Sequence, residues 1–265
     1  MATVRAYTYK DELQFIHKDN YESRGKSVEK LIRESINRYN ITKKFDFTIS
    51  TDDVPHDKFH SFSTVYKNYI KAFPCFLYDA WPETGVDNYT DTILKFKDTV
   101  PVSNKVGWIG GGFGQIPVRT NFLNKFSNTH FSEGLCNAWN ISNLHRLWEN
   151  SKTYLSYQDQ IDRWKYLLDM EGIGWSARTK VLLCSPRIVF IANRIFEEWW
   201  YEYLVPWKHY VPVRRDMLDL QENYERLEAD HELQKYIKYE QQKFAQQYLT
   251  HDAALLQIKK VIENL

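Results

Sequence analysis

The sequence lacks a large net charge, a cysteine pattern and a long apolar run. Its 265 residues carry 35 basic and 34 acidic side chains, so no global field draws in nucleic acid or an anionic membrane. Any anion that the protein binds must therefore be held by a local group of basic residues. The cysteines are three, far apart and without a CxxC pair, which argues against a disulfide framework and a zinc site: Cys75, Cys136 and Cys184.

The amino-terminal residues lack the apolar run of a signal peptide. No window approaches the roughly 20 apolar residues that a spanning helix needs. These features predict a soluble, cytoplasmic protein without membrane insertion and, since no basic stripe is present, without a nucleic-acid partner. The apolar content of 43% is sufficient for one large domain or two modest ones.

The amino-terminal part of the chain alternates helical and strand patterns. Residues 28–39 place apolar side chains on one helical face, and residues 45–49 alternate apolar and polar side chains as a strand does. Asp52 and Asp53 follow that strand directly. Ligands of open α/β sheets sit beyond the carboxyl ends of strands, so both carboxylates are candidate site residues. The alternative is that they only cap the following turn.

A polar stretch separates two halves of the chain. A second strand is predicted at residues 73–78, before a loop with proline, glycine and aspartate that carries Trp81. The composition turns polar between residues 97 and 104. We therefore divide the chain into a first α/β lobe, a second α/β lobe and a final helix expected to pack on the first lobe: residues 1–102, 103–249 and 250–265.

A glycine-rich loop opens the second half and precedes Arg119, at the start of a predicted helix. Glycines let backbone amides approach an anion, and an arginine offers paired N–H groups to phosphate oxygens. Phe113, Gly114 and Arg119 are therefore candidate anion contacts. The loop matches neither the phosphate-loop nor the dinucleotide fingerprint, and a plain tight turn stays an open alternative.

A parallel βαβ unit is predicted further on, with strands at residues 165–170 and 188–192. Ser176 is the expected N-cap of its short helix, and Arg178 lies in the first turn, where free amides favour an anion. Lys180 fits an anion contact and a solvated surface charge equally well. The candidate contacts of this loop are Gly172, Ile173, Gly174, Trp175, Ser176, Ala177 and Arg178.

Several segments together carry a family resemblance. KYLLDMEGIGWSARTKVLL (165–183), EWWYEYLVPWKHYVPVRRDMLDL (198–220) and QQKFAQQYL (241–249) resemble, in order, three conserved segments of the capsule-associated glycosyltransferases, glycosyltransferase family 90. That family includes protein O-glucosyltransferases and O-xylosyltransferases. GGGFGQIPVR resembles its segment ending in a diphosphate-binding arginine, here Arg119, and FTISTDDVP resembles its strand before the catalytic aspartate, here Asp53.

The resemblance implies a GT-B-like α/β fold, with two Rossmann-like lobes facing a cleft and C-terminal helices. It implies inverting transfer of xylose, or with less preference glucose, from a UDP-sugar to a glycan or glycoprotein acceptor. Asp53 would be the base, and Arg119 and Arg178 would hold the diphosphate in the second lobe without a metal ion or cofactor. Further cleft candidates are Asp52, Trp81, Glu198 and His209.

Two departures from the family pattern leave the acceptor open. The basic residue that opens the glycine segment is missing, and we expect neither the secretory leader nor the disulfide set of the luminal animal members. The alternative function is a non-catalytic carbohydrate-binding protein of the same fold, whose aromatic residues, 16% of the chain, would contact sugars. Trp199, Trp200 and Trp207 are expected in the core or cleft wall rather than on a sugar platform.

Overall fold

The computed structural model describes residues 1–18, 22–65, 67, 69–111, 116–136 and 155–265, a mixed α/β structure as predicted. Its strands are β1 (Thr3–Tyr9), β2 (Glu12–Lys18), β3 (Asp46–Ser50), β4 (His60–Ser61), β5 (Ser103–Gly110), β6 (Ser132–Cys136), β7 (Trp164–Asp169), β8 (Ile188–Ala192) and β9 (Val211–Val213). Its α-helices are α1 (Glu22–Tyr39), α2 (Tyr89–Leu94), α3 (Pro117–Phe126), α4 (Tyr157–Arg163), α5 (Thr179–Leu183), α6 (Leu220–Ala229), α7 (His231–Tyr248) and α8 (His251–Glu263).

The chain divides into two compact units. The first contains Met1–Lys95, Ile195–Leu204 and Gln246–Leu265, and the second contains Phe96–Arg194 and Val205–Ala245. The short segment after β8 and the carboxyl-terminal helix therefore belong to the same unit as the amino-terminal sheet.

The first unit is built on a mixed four-stranded sheet in the order β2-β1-β3-β4. β1 pairs antiparallel with β2 and β3, whereas β3 and β4 run parallel. The β1–β2 hairpin turns at Lys10 and Asp11, whose φ angles of 48° and 66° suit a two-residue type I′ turn. Sequence reasoning missed this hairpin but predicted β3.

Helix packing completes the core of the first unit. The predicted apolar face of α1 is buried at Val28, Leu31 and Ile32. α8 packs on α1, where the Ser35 hydroxyl donates to the carbonyl of Leu255 (2.8 Å). Burial of such faces contributes most of the stability of helices in proteins.

The prediction of a strand at residues 73–78 is wrong. Phe76–Tyr78 forms a 3₁₀ turn, and the residues before it are irregular. The apolar side chains of residues 73–78 are buried in an irregular segment and do not alternate between the faces of a sheet. Pro74 also lacks the N–H group that a strand would use to pair with its neighbour.

The second unit contains a five-stranded sheet in the order β6-β5-β7-β8-β9 in which every pair is parallel. The predicted βαβ unit is confirmed in β7, α5 and β8. With β5 as the first strand, this is the doubly wound order 2-1-3-4-5, whose topological switch point lies between β5 and β7. The carboxyl ends of these two strands are where such sheets bind ligands.

Candidate functional site

Two arginines cross-link the switch point of the parallel sheet. Arg119 lies in the first turn of α3, as predicted, and its guanidinium reaches the segments that follow β5 and β7. Its Nε donates to the carbonyl of Glu171 (2.9 Å) and its Nη1 to the carbonyl of Gly111 (2.9 Å). Within the described residues its Nη2 makes no hydrogen bond, which leaves a donor for a ligand.

Arg178 joins the same two strands slightly deeper. Its Nη1 donates to the carbonyl of Ile109, its Nη2 to that of Leu168 (3.1 Å) and its Nε to the carboxylate of Asp169 (3.0 Å). Both guanidiniums lie near the ring of Trp108, at 5.4 Å for Arg119 and 5.7 Å for Arg178, within cation–π range. Because all three of its nitrogens are engaged, Arg178 offers charge and rigidity rather than a vacant donor.

Asp169 is the buried centre of this network. Its carboxylate accepts hydrogen bonds from Ser176 (2.9 Å), Thr179 (2.5 Å) and Arg194 (2.9 Å), in addition to Arg178. Burial opposes its ionisation, but the charges of Arg194 and Arg178 outweigh burial and hold the pKa of Asp169 below its usual range. The carboxylate is therefore charged at neutral pH and fixes both guanidiniums.

The edge of the sheet carries more positive than negative charge. Four arginines, Arg119, Arg178, Arg194 and Arg215, surround the two carboxylates Asp169 and Glu171. Burial, and next the charge of Arg178, lower the pKa of Arg119 to about 10. Arg119 stays protonated at neutral pH, and an anion bound beside it would relieve this unfavourable environment.

The loop after β7 differs in part from its prediction. α5 begins at Thr179 with Arg178 as its N-cap, so the expected N-cap role of Ser176 is wrong. The Ser176 hydroxyl is committed to Asp169 instead. Lys180 is fully buried and donates to the carbonyl of Ala177 (2.8 Å), which excludes the solvated surface charge.

The remaining loop candidates have different surroundings. A methyl group on Gly172 would lie 3.5 Å from Nη2 of Arg119, in ordinary contact, so little space separates this glycine from the free donor. Trp175 is buried, whereas Ile173 is 55% exposed. Phe113 and Gly114 lie outside the described residues.

The predicted aspartates lie in the first unit, after β3. Arg24 donates through Nη1 to Oδ1 of Asp53 (2.8 Å) and to the carbonyl of Thr51 (3.0 Å). The Asp53 side chain is 50% exposed, and its Oδ2 makes no hydrogen bond within the described residues. Asp52 instead accepts from the backbone N–H of Ala2 (3.3 Å). Of the two residues, Asp53 is the more exposed, so its carboxylate is the more accessible to a ligand.

Trp81 belongs to the surroundings of Asp53. The Arg24 guanidinium lies 6.0 Å from the Trp81 ring and 4.9 Å from the Phe76 ring. Trp81 and Phe76 meet edge to face, with 5.3 Å between centroids. The arginine that holds Asp53 is thus itself held on two aromatic rings.

The aromatic stretch after β8 is mostly structural. Trp199 and Trp200 are 5% and 0% exposed, and Glu198 before them is also buried. Trp207 packs against the core of the second unit. These positions fit the predicted core role, not a sugar platform.

His209 is a structural histidine of the second unit. Its Nδ1 accepts from the backbone N–H of Val205 (3.0 Å), and its ring lies 4.8 Å from that of Phe244. Burial, and next the charge of Lys208, lower the pKa of His209 to about 4. The ring is neutral at physiological pH.

Within the described ranges, no three His, Cys, Asp or Glu side chains lie where they could hold a metal ion together. The helices of the same part of the chain are all too short or too polar to cross a membrane.

A doubly wound parallel sheet with arginines at its switch point is typical of α/β proteins that bind nucleotides. The family model "Glycosyl transferase family 90" matches residues 17–263, and the chain belongs to that family. The resemblance seen in the sequence is thereby confirmed.

Curated relatives match over shorter segments. Protein O-glucosyltransferase 2 of Danio rerio is 31% identical over 102 residues, covering 38% of this chain and 20% of the relative. Protein O-glucosyltransferase 1 of Rattus norvegicus is 32% identical over 90 residues, covering 34% of this chain and 23% of the relative. O-glucosyltransferase rumi of Drosophila melanogaster is 35% identical over 60 residues, covering 23% and 14%. The matched segments thus span less than a quarter of each relative.

Sequence reasoning missed several residues of these clusters. Asp169 ends a strand, which is the same signal that selected Asp53, and Arg194 follows the end of β8 by two residues. A search of every strand end for charged residues would have found both. Arg24 lies within α1, far along the chain from Asp53, and no local pattern marks it.

Proposed function

We propose that this chain is an inverting glycosyltransferase that moves glucose or xylose from a UDP-sugar to a hydroxyl group of a glycan or protein. The observation that carries the proposal is the position of Arg119 and Arg178 across the switch point of the parallel sheet. Because arginines outnumber carboxylates there, the site complements a diphosphate, whose oxygens accept paired N–H groups.

The transfer step needs a base and a stabilised leaving group. The acceptor oxygen attacks the anomeric carbon, the bond from that carbon to UDP breaks, and the hydroxyl proton passes to a carboxylate. We assign the proton to Oδ2 of Asp53, which is accessible. Arg119 and Arg178 would stabilise the charge that develops on UDP, Arg119 through its free Nη2 and Arg178 through its fixed charge. Transfer without a metal ion stays a prediction.

The donor sugar and the arrangement of lobes belong to the same proposal. The relatives named above are O-glucosyltransferases, which favours glucose over the xylose preferred from the sequence. We propose the GT-B-like arrangement that the family implies and, from the sequence division, residues 1–102 as acceptor lobe, 103–249 as donor lobe and 250–265 as a helix of the first lobe. In that scheme the residues that the sequence predicts as donor contacts are Gly172 to Ala177, with Phe113 and Gly114.

A donor screen tests the proposal. UDP-glucose, UDP-xylose, UDP-galactose and UDP-N-acetylglucosamine would be compared for thermal stabilisation and slow hydrolysis, with and without EDTA. We expect UDP-glucose or UDP-xylose to give the largest effects and EDTA to change nothing. A protein that binds glycans but no UDP-sugar would instead be the non-catalytic alternative, and a strict manganese requirement would contradict the metal-free site.

A further inference from the structure

The first unit contains a cavity of about 590 Å³ that none of the residues assigned to sugar transfer lines. It lies among the 3₁₀ turns Tyr69–Lys71 and Trp199–Tyr203 and the second half of α8. Its volume is in the range of about 300 to 1,000 Å³ typical of sites for small molecules.

Aromatic side chains of this cavity are held in place by their neighbours. Tyr203 stacks on Tyr248, with 4.7 Å between centroids and 8° between ring planes, yet it remains 40% exposed. The Tyr69 hydroxyl donates to the carboxylate of Glu197. Glu197 is itself tied to Thr64 by two backbone hydrogen bonds of 2.8 and 3.0 Å. The rings are thus in position before a ligand arrives.

Polar groups of both signs line the same cavity. Lys71 and Lys260 supply positive charge, and Glu202, which hydrogen-bonds Tyr203, supplies negative charge. Gln257 and Asn264 add amides that both donate and accept. A ligand with many hydroxyl groups and an apolar face complements this mixture of aromatic rings, amides and charges of both signs. The charged groups disfavour a purely hydrocarbon ligand.

We propose that the cavity is an accessory carbohydrate-binding site, in which a sugar ring lies on Tyr69 and Tyr203 and its hydroxyls bond the amides and charged groups, with the largely buried Trp199 at its edge. The bound carbohydrate would be part of the acceptor substrate, a role that rests on the proposed function. Lys71 donates through Nζ to the carbonyl of Asp57, which lies in the loop that carries Asp53. A glycan bound in the cavity would therefore lie in the unit that contains Asp53. It would contact Lys71, which is hydrogen-bonded to the loop of this proposed base.

The experiment titrates the full chain with maltose, cellobiose and xylobiose, and follows the indole N–H signals of tryptophan by NMR, with Trp199→Phe assigning one of them. We expect at least one disaccharide to shift the Trp199 signal. Lys260→Ala and Asn264→Ala should each weaken that disaccharide about threefold to tenfold, because each removes one hydrogen-bonding group. Lys259→Ala is the matched control, since Lys259 lies on the same helix and does not line the cavity.

The outcomes separate this inference from the proposed transfer reaction. No disaccharide binding, or binding that Lys260→Ala and Asn264→Ala leave unchanged, would overturn the cavity as a carbohydrate site. UDP is titrated in parallel, and its affinity should be the same in all of these variants. If disaccharides bind here and UDP does not bind the protein, the accessory site stands and the transferase proposal fails.

Discussion

The two units hold their charged residues in opposite ways. In the second unit Asp169 is fully buried and shared by Arg178 and Arg194, so the charges are part of the core. In the first unit Asp53 is half exposed and has one arginine partner. Buried networks position groups rigidly but make each member essential for stability, whereas an exposed carboxylate can be changed at little structural cost.

The sheets of the two units also differ in how many groups they bring together at one edge. The second unit is parallel throughout, so the carboxyl ends of its strands collect backbone and side-chain groups at one edge. The first sheet is mixed, and only β3 and β4 run parallel. If the second unit binds the diphosphate as proposed, the residues that bind the ligand there are the ones that hold the fold, whereas in the first unit the proposed base is separate from the core.

The largest expected effect is on the rate of transfer. Asp53→Asn should lower the rate by about 10² to 10⁴, the usual contribution of a general base. UDP affinity and the free energy of unfolding should change little, because the side chain is exposed and its proposed role is toward the acceptor, not the diphosphate. Kinetics and calorimetry on the same preparation measure both quantities.

Asp52→Asn is the matched control for Asp53 and should retain most activity, since its carboxylate bonds the backbone of Ala2. If Asp52→Asn is inactive and Asp53→Asn is active, the base is Asp52 and not Asp53. Activity in both variants would place the base elsewhere.

Asp169→Asn should give the largest loss of stability. Removing the carboxylate charge leaves the buried guanidinium of Arg194 and the partly buried one of Arg178 without their counter-ion, a change that costs about 3 to 5 kcal/mol in the free energy of unfolding. Because the pKa of Asp169 is lowered in the folded protein, its contribution is complete above the unfolded pKa and is lost as the pH falls below about 4. Urea unfolding at several pH values measures both effects.

Asp46→Asn is the control for Asp169, because Asp46 also pairs with an arginine, Arg5, but at the surface. Exposed ion pairs contribute only about 0 to 1 kcal/mol, so this variant should unfold almost as the native chain does. Equal losses in the two variants would contradict the contrast between the units.

A smaller effect is expected at His209. Burial lowers the pKa of His209 from 6.5 to about 4 in the folded protein. Between these two pH values the unfolded chain binds a proton at His209 and the folded chain does not, so the folded protein loses stability as the pH falls. His209→Gln should remove about 1 to 3 kcal/mol of this pH dependence. Unfolding curves at pH 7 and pH 5 test it, with the exposed His231→Gln as control. An unchanged pH dependence in His209→Gln would show that the ring is not held neutral.

Much of the second unit is predictable because its strands are continuous apolar runs between clear breaks. The predicted strand at residues 188–192 matches β8, and that at 165–170 differs from β7 by one residue at each end. In the first unit, the buried faces of helices α1 and α8 could also be predicted, from the spacing of their apolar residues. Arg119 lies at a helix start, as predicted, and Pro117 at the first helical position favours that start.

The rest depends on distant contacts that no local pattern contains. The hydroxyl of Ser176 donates to the buried carboxylate of Asp169, seven residues earlier, instead of capping the helix. Lys180 is buried by tertiary packing. The hairpin of β1 and β2 was missed although Val4 and Ala6 alternate with the exposed Arg5. The partner of Asp53 could not be predicted, because Arg24 is brought to it by the packing of α1.

Calorimetric titration of UDP into Arg119→Gln tests the central claim most directly. Arg187→Gln is the control, since Arg187 also donates to backbone carbonyls in the second unit, but from the residue before β8, at the amino end of the strand. If the diphosphate binds at the switch point, losing a charge-assisted contact should weaken UDP about tenfold to a hundredfold in Arg119→Gln and less than about twofold in Arg187→Gln. Unchanged UDP affinity in Arg119→Gln, or equal losses in both variants, would contradict the account.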